Sequence, residues 1–326
     1  MNLNQDRRSL FKLGAIGATA LAMPQIMTRA AQAQAPVPET GNPGFNRFRL
    51  GGFEITTVLD GMRAGEGPHP TFGTDQTPEA MAELLATENL PSDRFVNMFT
   101  PVLVNTGTDL VLFDTGMGEG GRENGLGRTR ARIEASGHRP EDVTVVVVTH
   151  MHGDHIGGLM EGDAPAYPNA RYVTGQVEYD FWTAKERMTG PTEGAAKTVA
   201  AKVKPLAEKM TFLSGEQEVV SGITSMEAFG HSPGHMIFML ESDGKLLVLT
   251  ADTANHYVAS LRRPDWEVRF DMDKPAAAAT RARVFDMVAS DKLPFIGYHM
   301  PFPAVGFVEK LDVGYRWIPE TYQLKL

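Results

Sequence analysis

The 326-residue chain reads as an α/β protein built from two sheets with helices outside. Three observations predict this. Strand-like apolar runs and helical patterns alternate in mixed order. One run, Val143-Thr144-Val145-Val146-Val147-Val148-Thr149, has the continuous apolar character of a strand buried on both faces. Directly behind it, His150-Met151-His152-Gly153-Asp154-His155 places three imidazoles and a carboxylate in six positions. That is the loop leaving the carboxyl end of a central strand, where open α/β sheets gather their reactive groups.

Residues 1–35 read as a cleaved twin-arginine leader. Arg7-Arg8-Ser9-Leu10-Phe11-Lys12 precedes a modest apolar stretch from Leu13 to Met23, and Ala33-Gln34-Ala35 offers a small-residue cleavage site. The stretch is too short and too rich in Gly and Ala to cross a bilayer. Twin-arginine export carries folded proteins, so a periplasmic or secreted location is expected. Residues 36–50 read as an N-terminal arm and residues 51–326 as one domain. Within it, Phe53 to Asp60 is the opening strand. Residues 61–76, with their Gly and Pro, read as loop. Thr77-Pro78-Glu79 starts a helix, with Thr as the cap and Pro at the first turn. A hairpin follows over 101–113, then a Gly-rich loop over 117–127 and a short helix over 129–136. After the histidine cluster come a loop (157–169), a short strand (170–173) and helices over 176–188 and 195–210. Strands are expected over 219–228, 236–243 and 245–250, and a long Ala-rich helix over 275–290.

Composition narrows the chemistry. The net charge is −9, and removing the leader makes the remainder more acidic still. No basic run is present, so nucleic acid is not an expected partner. Cysteine is absent, so there are no disulfides and any metal must be held by His and Asp alone. The crowded donors at 150–155 would repel one another or stay unsatisfied unless cations sat between them. Further donors follow in strand-end positions. His231 and His235 lie in Gly230-His231-Ser232-Pro233-Gly234-His235, Asp252 closes the run Leu246 to Ala251, and His299 follows Pro294 to Tyr298. His69, His138 and His256 lie outside these motifs and read as surface residues, with His256 also a candidate for a pocket rim.

In that order, HxHxDH, HxxGH, a strand-end Asp and a late His, the chain resembles the metallo-β-lactamase superfamily. Within it the likeness is to the methyl parathion hydrolase group and its quorum-quenching lactonase relatives. Gly52-Phe53-Glu54-Ile55-Thr56, Leu112-Phe113-Asp114-Thr115-Gly116, Asp180-Phe181-Trp182 and His299-Met300-Pro301-Phe302-Pro303 also carry it. The resemblance implies a four-layer αββα sandwich and a homodimer. It implies two divalent ions per chain, zinc by default, with Mn, Co or Fe also suited to His/Asp ligands. His150, His152 and His231 would hold one ion; Asp154, His155 and His299 the other; Asp252 would bridge them. A hydroxide shared between ions roughly 3.5–4 Å apart would be the nucleophile, with Asp154 and Asp252 as the catalytic carboxylates. Asp114 is expected as the outer carboxylate that orients a ligand histidine. His235 would be either such a partner or a hydrogen-bonded turn residue.

The resemblance also implies ester-like small-molecule substrates. Lactones such as N-acyl homoserine lactones stand first, with organophosphate triesters as the alternative and β-lactams or thioesters as further ones. Trp182, Phe181 and Phe302 are candidate pocket residues. Asn255 and Tyr257, just after the bridging Asp, could assist a lactone's poor leaving group. The loops 117–127 and 183–211 lack the aromatic residues of an aryl-binding wall, which favours lactones over aryl phosphotriesters. The chain lacks length after His299 for the helical domain typical of glyoxalase II. Intact ligands argue against a scaffold without catalysis, and the lack of Glu ligands or a flavin domain argues against a diiron oxidoreductase.

Overall fold

A computed structural model describes residues 43–321. The expected leader and the first part of the expected arm, residues 1–42, lie outside the described residues. Among the described residues, no helix is long and apolar enough to cross a membrane.

The first sheet has seven strands in the order β1-β2-β5-β6-β7-β10-β11. These are β1 (Phe45–Leu50), β2 (Phe53–Val58), β5 (Val102–Asn105), β6 (Leu110–Phe113), β7 (Val145–Val148), β10 (Arg171–Gly175) and β11 (Met210–Leu213). The run expected to be central is central. β7 lies between β6 and β10, parallel to both. Its side chains alternate between two cores, as a period of two requires. Val145 and Val147 face the second sheet; Val146 and Val148 face the helices. Residues 45–50, expected in the arm, instead form the edge strand β1, paired in register with β2. Pro and Gly upstream masked a short alternating strand.

The second sheet, also seven-stranded, runs β12 to β18 in chain order. Its members are β12 (Glu218–Val220), β13 (Ile223–Glu227), β14 (Met236–Ser242), β15 (Lys245–Ala251), β16 (Phe295–Gly297), β17 (Val305–Lys310) and β18 (Tyr315–Pro319). The strand expected over 219–228 is thus broken by the Ser221-Gly222 turn. Phe113 of the first sheet meets Phe238 of the second edge-on, ring centroids 5.1 Å apart, in the core between the sheets.

Helices close both outer faces. α2 (Thr129–Ala135), α4 (Gln176–Thr183) and α5 (Glu193–Lys202) cover the first sheet through Ile133, Trp182 and Val199. The long α7 (Lys274–Ser290) covers the second, with Phe285 against Phe295. The four-layer αββα sandwich is therefore present. α4 and α5 are shorter than expected. Ala184 turns extended after α4, and Pro205, which has no N–H to donate, leaves only a 3-10 turn after α5. Thr77 caps α1 (Pro78–Ala86) as expected, its hydroxyl accepting from the Ala80 N–H at 3.2 Å.

The stretch 61–76 is not all loop. β3 (Gly61–Glu66) pairs antiparallel with β4 (Arg94–Phe99) as a ribbon outside both sheets. Short elements include β8 (Met160–Glu161) paired with β9 (Ala164–Pro165), the single-turn helices α3 (Gly153–Ile156) and α6 (Ala259–Arg262), and a 3-10 helix (Glu119–Asn124) within the Gly-rich loop.

Asp60, buried where β2 leads into the ribbon, anchors the Gly-rich loop. Its carboxylate accepts from the Met117, Gly127 and Thr129 N–H groups and from the Thr129 hydroxyl, at 2.6–3.2 Å. Gly116 makes room for it, because a Cβ there would stand 2.1 Å from Asp60 Oδ1. Asp60→Ala strands those donors without replacing them. It is expected to cost about 3 kcal/mol or more of stability in urea denaturation, and a loss below about 1 kcal/mol would show the loop needs no such anchor.

Candidate metal centre

The carboxyl ends of β6, β7, β15 and β16 open on one side of the sandwich, and the donors sit in the loops that leave them. Asp114 follows β6, the cluster 150–155 follows β7, Asp252 follows β15 and His299 follows β16. His231 and His235 come from the loop entering β14. The backbone bends sharply to make these turns. Asp114 (φ 59) and Ala251 (φ 42) both lie in the left-handed region without being glycine, a strain that only a well-held site sustains.

The seven expected donors converge. His150 Nε2 and His231 Nε2 each lie 3.0 Å from His152 Nδ1. His155 Nε2 and His299 Nε2 each lie 3.6 Å from Asp154 Oδ2. Asp252 stands between the two groups. Its Oδ2 is 3.2 Å from His231 Nε2 and 3.1 Å from His299 Nε2, and its Oδ1 is 3.2 Å from His155 Nε2. The ligand atoms of His150, His152 and His231 lie within 4.8 Å of one another, as do those of Asp154, His155 and His299.

This donor set fits two cations. His155 Nε2 and Asp252 Oδ1 are buried without a hydrogen-bond partner, which a protein avoids unless something else satisfies them. Ring nitrogens of His150, His152 and His231 also face one another across the centre. The rear ring nitrogens are tied instead. His155 Nδ1 meets Asp114 Oδ2 at 2.8 Å, His231 Nδ1 meets Asp271 Oδ1 at 2.9 Å, and His299 Nδ1 meets the Met98 carbonyl at 2.7 Å. Each pairing leaves the other nitrogen free to point inward. Asp114 thus sits where it was expected. His235 is a turn residue with a positioning role: its Nδ1 meets the Ala228 carbonyl, and its Nε2 accepts the Asp252 N–H at 3.1 Å.

Two buried carboxylates lay beyond the sequence reading. Glu178 of α4 accepts from the Met151 and Gly234 N–H groups, the Ser232 hydroxyl and the Trp182 indole, all at 2.8–2.9 Å. It joins the 150–155 loop to the 231–235 loop. Gly234 permits this, since a Cβ there would come within 2.2 Å of the Glu178 nitrogen. Asp271 backs His231 and is itself held by Arg281 of α7 at 2.7 Å, a fully buried ion pair. Arg281 also donates to the carbonyls of Thr253 and Pro264. Neither carboxylate belongs to a local motif; Glu178 has Trp182 four residues away, but its loop partners lie 27 to 56 residues off, and Asp271 reaches His231 across 40.

A cavity of about 710 Å³ opens above the donors. Asn255 lines it, donating from Nδ2 to Asp252 Oδ2 at 2.9 Å. Other expected pocket residues lie elsewhere. Trp182 is core, its indole spent on Glu178. Phe181 packs with the same core and under Arg187. Phe302 lines neither this cavity nor its neighbour. Tyr257 lines the neighbouring apolar cavity, stacked on His256. His256 is buried rather than on the surface, its Nδ1 accepting from the Val258 and Ala259 N–H groups. The aromatic wall absent from the two loops comes instead from Phe95, Phe99 and Phe270. The alternation Phe95-Val96-Asn97-Met98-Phe99 was a legible sign of two of these.

The sequence from residue 100 to 291 matches the family description "Metallo-beta-lactamase superfamily". The chain belongs to the metallo-β-lactamase superfamily. It is 26% identical over 168 residues to an N-acyl homoserine lactonase of Bacillus cereus, covering 51% of this chain and 60% of that protein. It is 28% identical over 130 residues to the N-acyl homoserine lactonase AttM of Agrobacterium fabrum, covering 38% and 46%. The match thus spans less than two thirds of each of these relatives. Among solved structures, AidC, described as a dizinc quorum-quenching lactonase with bound product, superposes with a TM-score of 0.78 at 26% identity, over 86% of this chain and 98% of that one. The hydrolase AbOPH superposes at 0.79 and 25% identity, over 87% and 99%.

Protons stand in for cations in the metal-free cluster. Burial pushes the His152 and His235 imidazoles down to about 3 and His256 down to about 4, and takes His150 well below its usual range. Burial also opposes a charge on His231, but hydrogen bonds to Asp252 and Asp271 outweigh it and lift the ring to about 9. Against the same burial, Asp252 and its fellow carboxylates raise His155 and His299. The depressed rings bind fewer protons folded than unfolded, so they withdraw stability as pH falls below about 6.5. The raised rings hold protons that the unfolded chain has lost, so they withdraw stability as pH climbs from about 6.5 through their folded values. Metal-free protein is therefore expected to be most stable near pH 6.5, roughly. Zinc, which needs neutral rings, should move that optimum upward. Denaturation midpoints measured across pH with zinc and with a chelator check this; an optimum that does not move would contradict it. Asp271→Asn is expected to weaken one ion by about 10–100-fold and spare its neighbour. Competition with a metal-binding dye would show two separated steps in place of matched ones.

Proposed function

We propose that this protein is a metal-dependent hydrolase that opens lactones, N-acyl homoserine lactones foremost, and related esters. The observation that carries the reading is the convergence of seven His and Asp donors, two of their buried atoms unpaired, with His152, Asp154, His231, Asp252 and His299 lining an open cavity. Two divalent ions held there would supply an activated water and a Lewis acid for a carbonyl oxygen.

The chain's own residues do the rest. Asn255 holds one oxygen of Asp252, fixing the carboxylate that separates the two donor groups. Tyr298 donates from its hydroxyl to the Asp154 carbonyl at 2.6 Å and holds the turn that presents Asp154. Phe99 packs edge-on against His299, ring centroids 5.4 Å apart, and keeps water from its flank. A second cavity of about 270 Å³ adjoins His299 behind Phe95, lined by Leu85, Leu90, Val96, Met98 and Tyr257. Its walls suit an acyl chain, which fits the product-bound lactonase among the structural relatives. Tyr257, in that apolar wall, is better placed to touch an acyl chain than to protonate a leaving group. The aromatic wall of Phe95, Phe99 and Phe270 keeps aryl phosphotriesters as a second reading.

Zinc-loaded protein is expected to release acid from N-acyl homoserine lactones in a panel with paraoxon, a cephalosporin and a thioester. Asp252→Asn should lower that rate by more than about 100-fold, beyond what loss of an outer partner does. Two bound ions with no lactone opening would overturn the reading. Leu90→Trp narrows the apolar cavity and should raise KM for a decanoyl lactone about tenfold relative to a butanoyl one, through lost methylene burial. An equal change for both chain lengths would place the acyl chain elsewhere.

A further inference from the structure

The cavity above the donors carries positive charge that a neutral ester does not use. Arg63 and Arg269 both line it. Arg63 stands on β3 opposite Asn97, on the ribbon face that also bears Phe95 and Phe99. Arg269 lies over its neighbour Phe270, its guanidinium carbon 5.0 Å from the ring centroid, a stacking that holds the planar group in place. Among the described residues, neither guanidinium has a carboxylate within the 4.0 Å of an ion pair. Many other arginines of this acidic chain do. Arg122 holds Glu161, Arg139 holds Asp142, Arg262 holds Glu88 and Arg281 holds Asp271.

The carboxylates lining the same cavity do not supply the missing partner. Asp154 and Asp252 face the imidazoles. Glu66 pairs with Arg94 in register, on the alternate face of the ribbon from Arg63. In a chain with more acidic than basic residues, two guanidinium groups without carboxylate partners border this one cavity and offer an anion a local attraction. A guanidinium presents donors in a fork that matches a carboxylate in two parallel hydrogen bonds.

We propose that Arg63 and Arg269 form an anion subsite, so that among the esters and lactones this site takes, those with a carboxylate remote from the bond that is hydrolysed are held more tightly than neutral ones. The proposal rests on the hydrolase reading for the fate of the ligand. The subsite itself is a binding feature. It orients the substrate from its far end, with the scissile carbonyl over the donors. It also sorts charged from neutral esters.

Binding of product-like acids tests it without turnover. Hexanoate and adipate have the same length, and each offers one carboxylate to the donor cluster; only adipate brings a second at the far end. In calorimetric titration of zinc-loaded protein, adipate is expected to bind about tenfold more tightly, with the preference shrinking as salt rises from about 0.05 to about 0.5 M. The double variant R63Q/R269Q should bring adipate to the hexanoate value. Both side chains are exposed, so the variant keeps its core. Equal affinities for the two acids, or a preference that persists in the double variant, would overturn the anion subsite. Failure of the hydrolase reading would show in the lactone panel, independently of this titration.

Discussion

The site depends on one buried carboxylate with no unpaired capacity. Glu178 takes donors from the 150–155 loop, from the 231–235 loop and from its own helix. These loops come from different sheets, and three imidazoles must still meet within hydrogen-bond distance of each other. Burial raises the carboxyl pKa of Glu178, and the four donors pull it back. A carboxylate so enclosed is costly if any donor is lost. The two loops are therefore locked together before any cation arrives. Asp114 and Asp271 extend the same principle outward, each fixing the back of one ring so that its front nitrogen faces the centre.

The two halves of the centre are not supported alike. His231 is held through Asp271 and Arg281, a chain that ends on α7 and on the loop after Asp252. His299 is held by a backbone carbonyl of the ribbon, and Asp154 through its carbonyl by Tyr298. One half is thus tied to α7 and the loop after β15, the other partly to an element outside both sheets. The orientation of His299 follows wherever Met98 sits.

Much of this was legible in the sequence because local chemistry specified it. The run Val145 to Val148 had to be a doubly buried strand, and its loop had to carry the dense donors. Thr77 signalled its cap and Pro78 its first turn. The later donors stood at strand ends, where their side chains could only point one way. What stayed hidden depended on distance. Glu178 and Asp271 look like ordinary helix and loop acids until partners many residues away close on them. Trp182 matched a pocket position in the resemblance, but Glu178 draws its indole into the core. The ribbon β3–β4 was masked by the glycines and prolines around it, and with it went the correct source of the aromatic wall. His256 looked exposed because nothing nearby marks Phe72 as its neighbour, 5.1 Å away between ring centroids.

Successive residues of β4 point to opposite sides, so this strand borders two cavities. Arg63, Asn97 and Phe99 border the space over the donors, whereas Val96 and Met98 border the apolar recess, and Phe95 touches both. The ribbon pairs with neither seven-stranded sheet. The residues of β4 that border the two cavities can therefore change separately, one residue parity at a time, while the sandwich that assembles the donors stays unaltered.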